Sequence, residues 1–278
     1  MQYNVPLPHM AAKGRLLATE MVHRAASGHL GGSLSAMDIL ALLYGEVLQI
    51  DVNNPRNPDR DRFVLSKGHV TPALYAILAL RGFFPETELK LFRHIDGDLS
   101  GHPEMKHVPG VDMSTGSLGQ GISAAVGMAL AGQMDQKNYR VYALLGDGEL
   151  GEGQVWEAAM AANKYKLNNL TAFVDVNGLQ IDGPTEEVMP LEPMGDKFRA
   201  FGWHVIHADG HNFDSLRKAI TEAKQHRDGP TMILAKTVKG KGISFMENVA
   251  GWHGKAPGDG EYATARAELE ATLERLEA

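Results

Sequence analysis

Apolar residues recur along this chain in two rhythms. From Ala11 to Ala26, Leu16, Leu17, Met21 and Val22 follow helical spacing, and the run stops at Ser27-Gly28, a glycine stop typical of helix ends. Ser35, with Asp38 three residues on, predicts an N-cap opening a second helix through Ile39, Leu40, Leu43 and Val47. The second rhythm is a set of short apolar runs at Phe63–Leu65, Arg140–Leu145, Leu170–Val176, Trp203–His207 and Thr231–Val238. Most are continuous rather than alternating, as expected of strands covered by helices on both faces. Helices are predicted between them at Gly119–Met134, Gln154–Tyr165 and Asp214–His226. A charged C-terminal helix at about 261–278 places Leu269, Leu273 and Leu276 on one face. This order predicts an α/β fold, a mostly parallel sheet flanked by helices, in a single domain over residues 1–278. Segments 94–121, 177–195 and 239–260 break both rhythms, and loops this long in a compact domain are usually functional or disordered.

Composition narrows the chemistry. The 278 residues are 44% hydrophobic and 22% charged, enough to bury a substantial core. A net charge of -7 leaves no basic footprint for nucleic acid. There is no cysteine, which removes disulfides and thiolate metal sites. No apolar run approaches the roughly 20 residues that span a bilayer, and the first ten residues lack a signal-peptide pattern. The expectation is a cytoplasmic protein with no membrane and no nucleic-acid partner.

In an open parallel sheet, ligands bind beyond the carboxyl ends of the strands. Asp147 follows the strand 140–145 directly, between Gly146 and Gly148, and Asn177 follows the strand 170–176. If those strands are neighbours, the two oxygen donors lie about 4.8 Å apart in strand spacing. That suits a hard cation such as Mg²⁺, which takes one or two protein carboxylates and completes its shell with phosphates. Asp between glycines and Asn-Gly are also common turn pairs, so each residue alone fits a plain turn. Their placement at successive strand ends favours the ion.

The motifs SGHLGGSLS (27–35), LSKGH (65–69), GHPE (101–104), STGSLGQGISAAVGMA (114–129), GDGELGEGQVWEAAM (146–160), NGLQIDG (177–183), KTVKGKG (236–242) and WHGK (252–255) resemble transketolase, in order and over nearly the whole chain. The resemblance implies a thiamine-diphosphate-binding fold in which Asp147, Asn177 and the main-chain carbonyl of Leu179 hold Mg²⁺, with Ca²⁺ or Mn²⁺ as substitutes. His69 would contact the diphosphate, and His29, His102 and His253 would line the substrate channel, where an imidazole titrating near neutrality can give or take a proton. Gly116, Ser117 and Leu118 would cradle the cofactor's ring region, Gly148 would approach its diphosphate, and Lys239 would neutralise it, with Lys236 and Lys241 as neighbours in the same run. Glu152 and Glu157 would lie near a contact between subunits, although a glutamate at a helix start needs no such role. Gly32 departs from the family at a position where some relatives carry a substrate-contacting serine.

The implied activity is transfer of a two-carbon ketol unit from a ketose phosphate to an aldose. No stretch here resembles the family's pyrimidine-binding domain. The expectation is therefore a subunit completed by a separate pyrimidine-binding chain, in a heterotetramer of two copies of each. A subunit of a 1-deoxyxylulose 5-phosphate synthase type enzyme is the nearest alternative, against which GQVWEAAM and WHGK weigh; a non-catalytic cofactor-binding regulator would not need the four histidines. The remaining histidines carry no motif. His204, His207 and His211 are close in sequence, but on a strand His204 and His207 point to opposite faces, which argues against a zinc cluster.

Overall fold

The computed structural model describes residues 5–277. Helices α1 (Leu7–Arg24) and α2 (Leu30–Leu42, extended by a π turn to Val47) lead into strand β1 (Arg62–Leu65) and helix α3 (Thr71–Arg81). A long irregular segment reaches α4 (Gln120–Met134), after which β2 (Val141–Gly146), α5 (Gly153–Lys164) and β3 (Leu170–Val176) alternate. A short hairpin of β4 (Leu179–Gln180) and β5 (Gly183–Pro184) and the single turn α6 (Thr185–Val188) follow. Then come α7 (Met194–Ala200), β6 (His204–Asp209), α8 (Phe213–Gln225), β7 (Thr231–Lys236) and α9 (Asp259–Glu277). The expected C-terminal helix thus starts at Asp259, and residue 278 lies outside the described residues.

The main sheet has the order β1-β2-β3-β7-β6, with every pair parallel. Its strands read as continuous apolar runs because both faces are buried. Tyr142, Leu144, Phe173 and Ile233 pack into a core with α1, α2, α3 and α8. Ala143, Leu145, Ala172, Val174 and Met232 pack into a second core with α4, α5 and α7. Gly146 pairs with Asp175, so β2 and β3 end almost level and release Asp147 and Asn177 at one edge.

Three expectations are corrected. Ser35 is not an N-cap: α2 begins five residues earlier and Ser35 lies inside it, fully buried. Gly31 and Gly32 lie within the helix where neighbouring groups pack too close for a side chain; a Cβ on Gly31 would meet the Trp252 carbonyl at 2.9 Å. The stretch Leu30–Val47 is long and apolar enough to span a bilayer, contrary to the sequence estimate, but 89% of it is buried inside the protein. Helix α3 has no counterpart among the predicted elements. Nearly all its residues are buried, so it shows no polar face to mark a period; its signals are Pro72 in the first turn and Gly82, at φ +87, as its cap.

Phe173 is fully buried on the central strand β3. Phe173→Ala should lower the unfolding free energy by about 3–5 kcal/mol. Urea unfolding of the purified chain checks it, and a loss below about 1 kcal/mol would mean that the core collapses around the gap.

Candidate active site

The three aperiodic segments converge beyond the carboxyl ends of β2, β3 and β7. They enclose a cavity of about 220 Å³ lined by His29, His69, Gly116, Leu118, Asp147, Gly148, Asn177, Leu179, Lys239 and His253 among others. Of the sequence-predicted site residues, Ser117 and His102 do not line it. Ser117 is exposed and borders a separate hollow of about 130 Å³. His102 is exposed and packs against Gly116, where a Cβ would meet its Cδ2 at 2.8 Å. Glu152 and Glu157 are exposed on the outer surface.

Asp147 is 2% exposed. Its carboxylate accepts from the Gly148 N–H at 2.8 Å and from the Gly178 N–H, and Gly178 can take its φ of +77 because it lacks a side chain. Burial, and then the nearby Asp175 carboxylate, push its pKa up to about 6. Asn177 closes a local turn, its Oδ1 accepting from the Leu179 N–H at 3.1 Å. Across the cavity, Lys239 is the buried lysine of its run; Lys236 is exposed and Lys241 pairs with Glu247. The Lys239 Nζ donates to the Leu179 carbonyl at 3.2 Å and lies 3.0 Å from His253 Nδ1. Burial, and then the charge of Lys67, lower its ammonium to about 8. Among the described residues no cation pairs with Asp147 and no carboxylate pairs with Lys239. One cavity therefore holds an anionic group and a cationic group that feel each other's charge but, among the described residues, make no direct ion pair.

Three imidazoles face each other. Ring centroids of His29 and His69 are 5.1 Å apart, His29 and His253 5.3 Å, and His69 and His253 5.1 Å. Burial leads in lowering each pKa, to about 4 for His29, about 2 for His69 and about 3 for His253. Arg93 adds to the effect at His29, Lys67 at His69 and Lys239 at His253. All three are neutral at physiological pH, able to accept a hydrogen bond or proton at one nitrogen. Two buried polar atoms of the cavity wall, His29 Nδ1 and Gln180 Nε2, have no hydrogen-bond partner among the described residues.

The sequence reading missed four residues that shape this site. Lys67, which lines the cavity, forms a buried ion pair with Asp175 at 2.6 Å. Glu149 is buried and lines the cavity next to Asp147 and Gly148. His211 hydrogen-bonds Asp38 at 2.6 Å through Nδ1 and accepts the Val238 N–H at 2.9 Å through Nε2, holding the loop that carries Lys239. Lys67 and Glu149 sat inside quoted motifs; Asp175 and His211 carried no signal beyond a polar residue at a strand end.

Residues 8–274 match the family described as transketolase, thiamine diphosphate binding domain. The chain belongs to the transketolase family. Among its relatives, the 6-deoxy-6-sulfo-D-fructose transketolase subunit of Clostridium sp. (strain MSTE9) is 49% identical over 97% of this chain and 98% of that protein. An apulose-4-phosphate transketolase subunit of Phocaeicola vulgatus is 43% identical over 95% and 94%. The transketolase of Campylobacter jejuni superposes with a TM-score of 0.89 at 33% identity, covering 97% of this chain. This chain spans 45% of that transketolase's length. Its likeness is thus to the thiamine-diphosphate-binding subunit of transketolases whose chains are split, and the α/β architecture is the family's thiamine-diphosphate-binding fold.

The three buried histidines set a pH response. Unfolded, each takes up a proton near 6.5; folded, each refuses it down to about 4 or below. Between those values the unfolded state binds more protons, so their contribution to stability is present above about pH 6.5 and is lost as pH falls. Imidazole proton signals of the cofactor-free chain should show no titration of these residues from pH 8 to 5. Three midpoints near 6.5 would mean that water reaches the rings freely.

Proposed function

We propose that the chain is the diphosphate-binding subunit of a cytoplasmic two-chain transketolase that moves a two-carbon ketol unit from an anionic ketose to an aldose. The observation that carries the proposal is the pair of buried charges, Asp147 and Lys239, facing one cavity at the strand ends with no direct ion pair among the described residues. A divalent cation at Asp147 and a diphosphate at Lys239 would give each group a direct ionic partner. The orphaned His29 Nδ1 and Gln180 Nε2 add polar groups for a ligand, and glycines at 116 and 148 let His102 and Gln180 pack close beside the cavity. In this reading Asp147, Asn177 and the Leu179 carbonyl hold Mg²⁺, and Lys239 and His69 face the diphosphate. Thiamine diphosphate supplies, when bound, the carbon nucleophile that cleaves and rebuilds the carbon–carbon bond beside a ketose carbonyl. Gly116 and Leu118 support its ring region. Neutral His29 and His253, with His102 at the rim, hydrogen-bond the sugar's hydroxyls and carbonyl oxygen and move protons between them.

The relatives' names support a donor with an acidic group, phosphorylated or sulfonated, since one acts on a sulfo-sugar and another on a sugar phosphate. They also support a second, pyrimidine-binding chain, because they are named as subunits. Two copies of each chain are the proposed assembly, which light scattering on the co-purified pair distinguishes from a one-to-one complex.

Co-expression with that second chain, followed by assay against ketose phosphates and 6-deoxy-6-sulfo-fructose, tests the reaction. Transfer should require both chains, thiamine diphosphate and Mg²⁺; robust transfer by this chain alone would overturn the split site. Asp147→Ala should weaken cofactor binding by roughly a hundredfold or more, a few kcal/mol, with Asn177→Ala milder. His102→Ala should lower turnover and leave cofactor affinity near wild type. Calorimetric titration of thiamine diphosphate, with and without Mg²⁺, checks all three, and unchanged affinity in Asp147→Ala would reduce that residue to a turn former.

A further inference from the structure

Glu149 sits in the single turn Gly148–Gly151 that follows β2, and it is 2% exposed. Its Oε1 accepts from the Ser66 hydroxyl and from the Gly119 N–H at 2.9 Å, and its Oε2 accepts from the Gly146 N–H at 3.1 Å. These donors belong to three different segments: the loop after β1, the entry to α4 and the end of β2. Glu149 and Gly146 themselves line the cavity, and each donor is the chain neighbour of another residue that lines it. Ser66 precedes Lys67, Gly119 follows Leu118, and Gly146 precedes Asp147. The segments already touch, since a Cβ on Gly121 would meet Ser66 Cα at 2.6 Å. A small shift of one wall is therefore passed to the others.

We infer that Glu149 is a positioning residue for cofactor binding, a buried carboxylate that holds the lysine, glycine and aspartate walls of the cavity in register. The inference rests on the reading of this cavity as the thiamine diphosphate site. A buried carboxylate is costly unless its oxygens are hydrogen-bonded, and here two backbone N–H groups and a hydroxyl meet them. The burial pushes the carboxyl pKa upward while those three bonds and the Lys67 charge oppose the shift. A carboxylate is also the group the geometry demands. Glutamine matches its shape but has one acceptor oxygen. With that oxygen at the Oε1 position, the amide NH₂ faces the Gly146 N–H, donor to donor; with the amide flipped, it faces the Gly119 N–H. Either way one backbone anchor of a cavity wall is lost. Supporting residues one step behind a binding group typically change affinity by about 10–100-fold when removed.

The test is titration of Mg²⁺–thiamine diphosphate into the full chain together with its pyrimidine-binding partner, for wild type, Glu149→Gln and Ser66→Ala. Glu149→Gln should bind about 10–100-fold more weakly, and Ser66→Ala, which removes one donor of three, less so. In the double variant the two losses should fall short of adding, because both act on the same carboxylate position. Amide hydrogen exchange supplies a readout independent of the cofactor. Exchange in Glu149→Gln should quicken around residues 116–121 and 144–150 while α1 and α8 keep their protection. A merely structural role predicts instead uniform loss of protection with unchanged affinity in the folded protein, and that result overturns the inference. Should Glu149→Gln not fold, Ser66→Ala decides, wild-type affinity counting against. Failure of wild type to bind would overturn the cofactor reading and this inference with it, whereas wild-type binding with an unaffected Glu149→Gln overturns the inference alone.

Discussion

The site is built on one buried carboxylate, Asp175 on the central strand β3, which is fully shielded from water. It accepts from Lys67 Nζ at 2.6 Å, from Ser35 Oγ at 2.6 Å and from the Thr237 hydroxyl. Those partners come from the loop after β1, from the middle of α2 and from the end of β7, so one side chain ties four elements at the ligand edge of the sheet. Burial alone would push the carboxyl pKa up, but Lys67 and the hydroxyls hold it below the ordinary aspartate value. The ion pair follows the rule that charges are taken out of water only with good geometry and additional hydrogen bonds. Losing Lys67 would leave a bare charge in the core.

The charge pattern of the cavity descends from that pair. Asp175 pairs directly with Lys67, so Asp147, close by, is the second carboxylate and makes no direct ion pair among the described residues; the repulsion adds to burial in raising its pKa. Lys239 is likewise the second ammonium, within reach of the Asp147 and Asp175 charges but in no direct ion pair among the described residues. The two ammonium groups also keep His69 and His253 neutral. Behind Lys239, the arrangement is fixed by a tautomer. His211 Nε2 accepts the Val238 N–H, so its proton is on Nδ1 and goes to Asp38, which Arg15 also grips from α1. The loop bearing Lys239 is thus fastened to the two N-terminal helices and not left to find its own place.

Close packing extends to the glycines around the site. A Cβ at Gly32 would come within 3.1 Å of Val70 Cγ1 and 3.4 Å of Lys67 Nζ. A larger residue at that position would require Val70 to give way.

Much of this was legible in the linear sequence. The five strands were visible because a sheet buried on both faces needs unbroken apolar runs, and Asp147 and Asn177 were placed by the rule that loops at parallel strand ends bear ligands. The strands' register, with Gly146 beside Asp175, then brought the two residues to one edge. Periodicity could not reveal α3, which has no polar face, nor the true start of α2, where glycines that look like a stop serve close packing. Motifs named His29, His69, His253 and Lys239 but could not say that three rings would stand within about 5 Å of one another with Lys239 against the third. Nor could they place His102 and Ser117 outside the cavity, or find Asp175, Glu149 and His211. Sequence determines which residue types are available and the period of their elements. Pairing of charges, loss of water and choice of tautomer depend on groups more than a hundred positions apart, as Ser35 and Lys67 are from Asp175, and only the folded chain decides them.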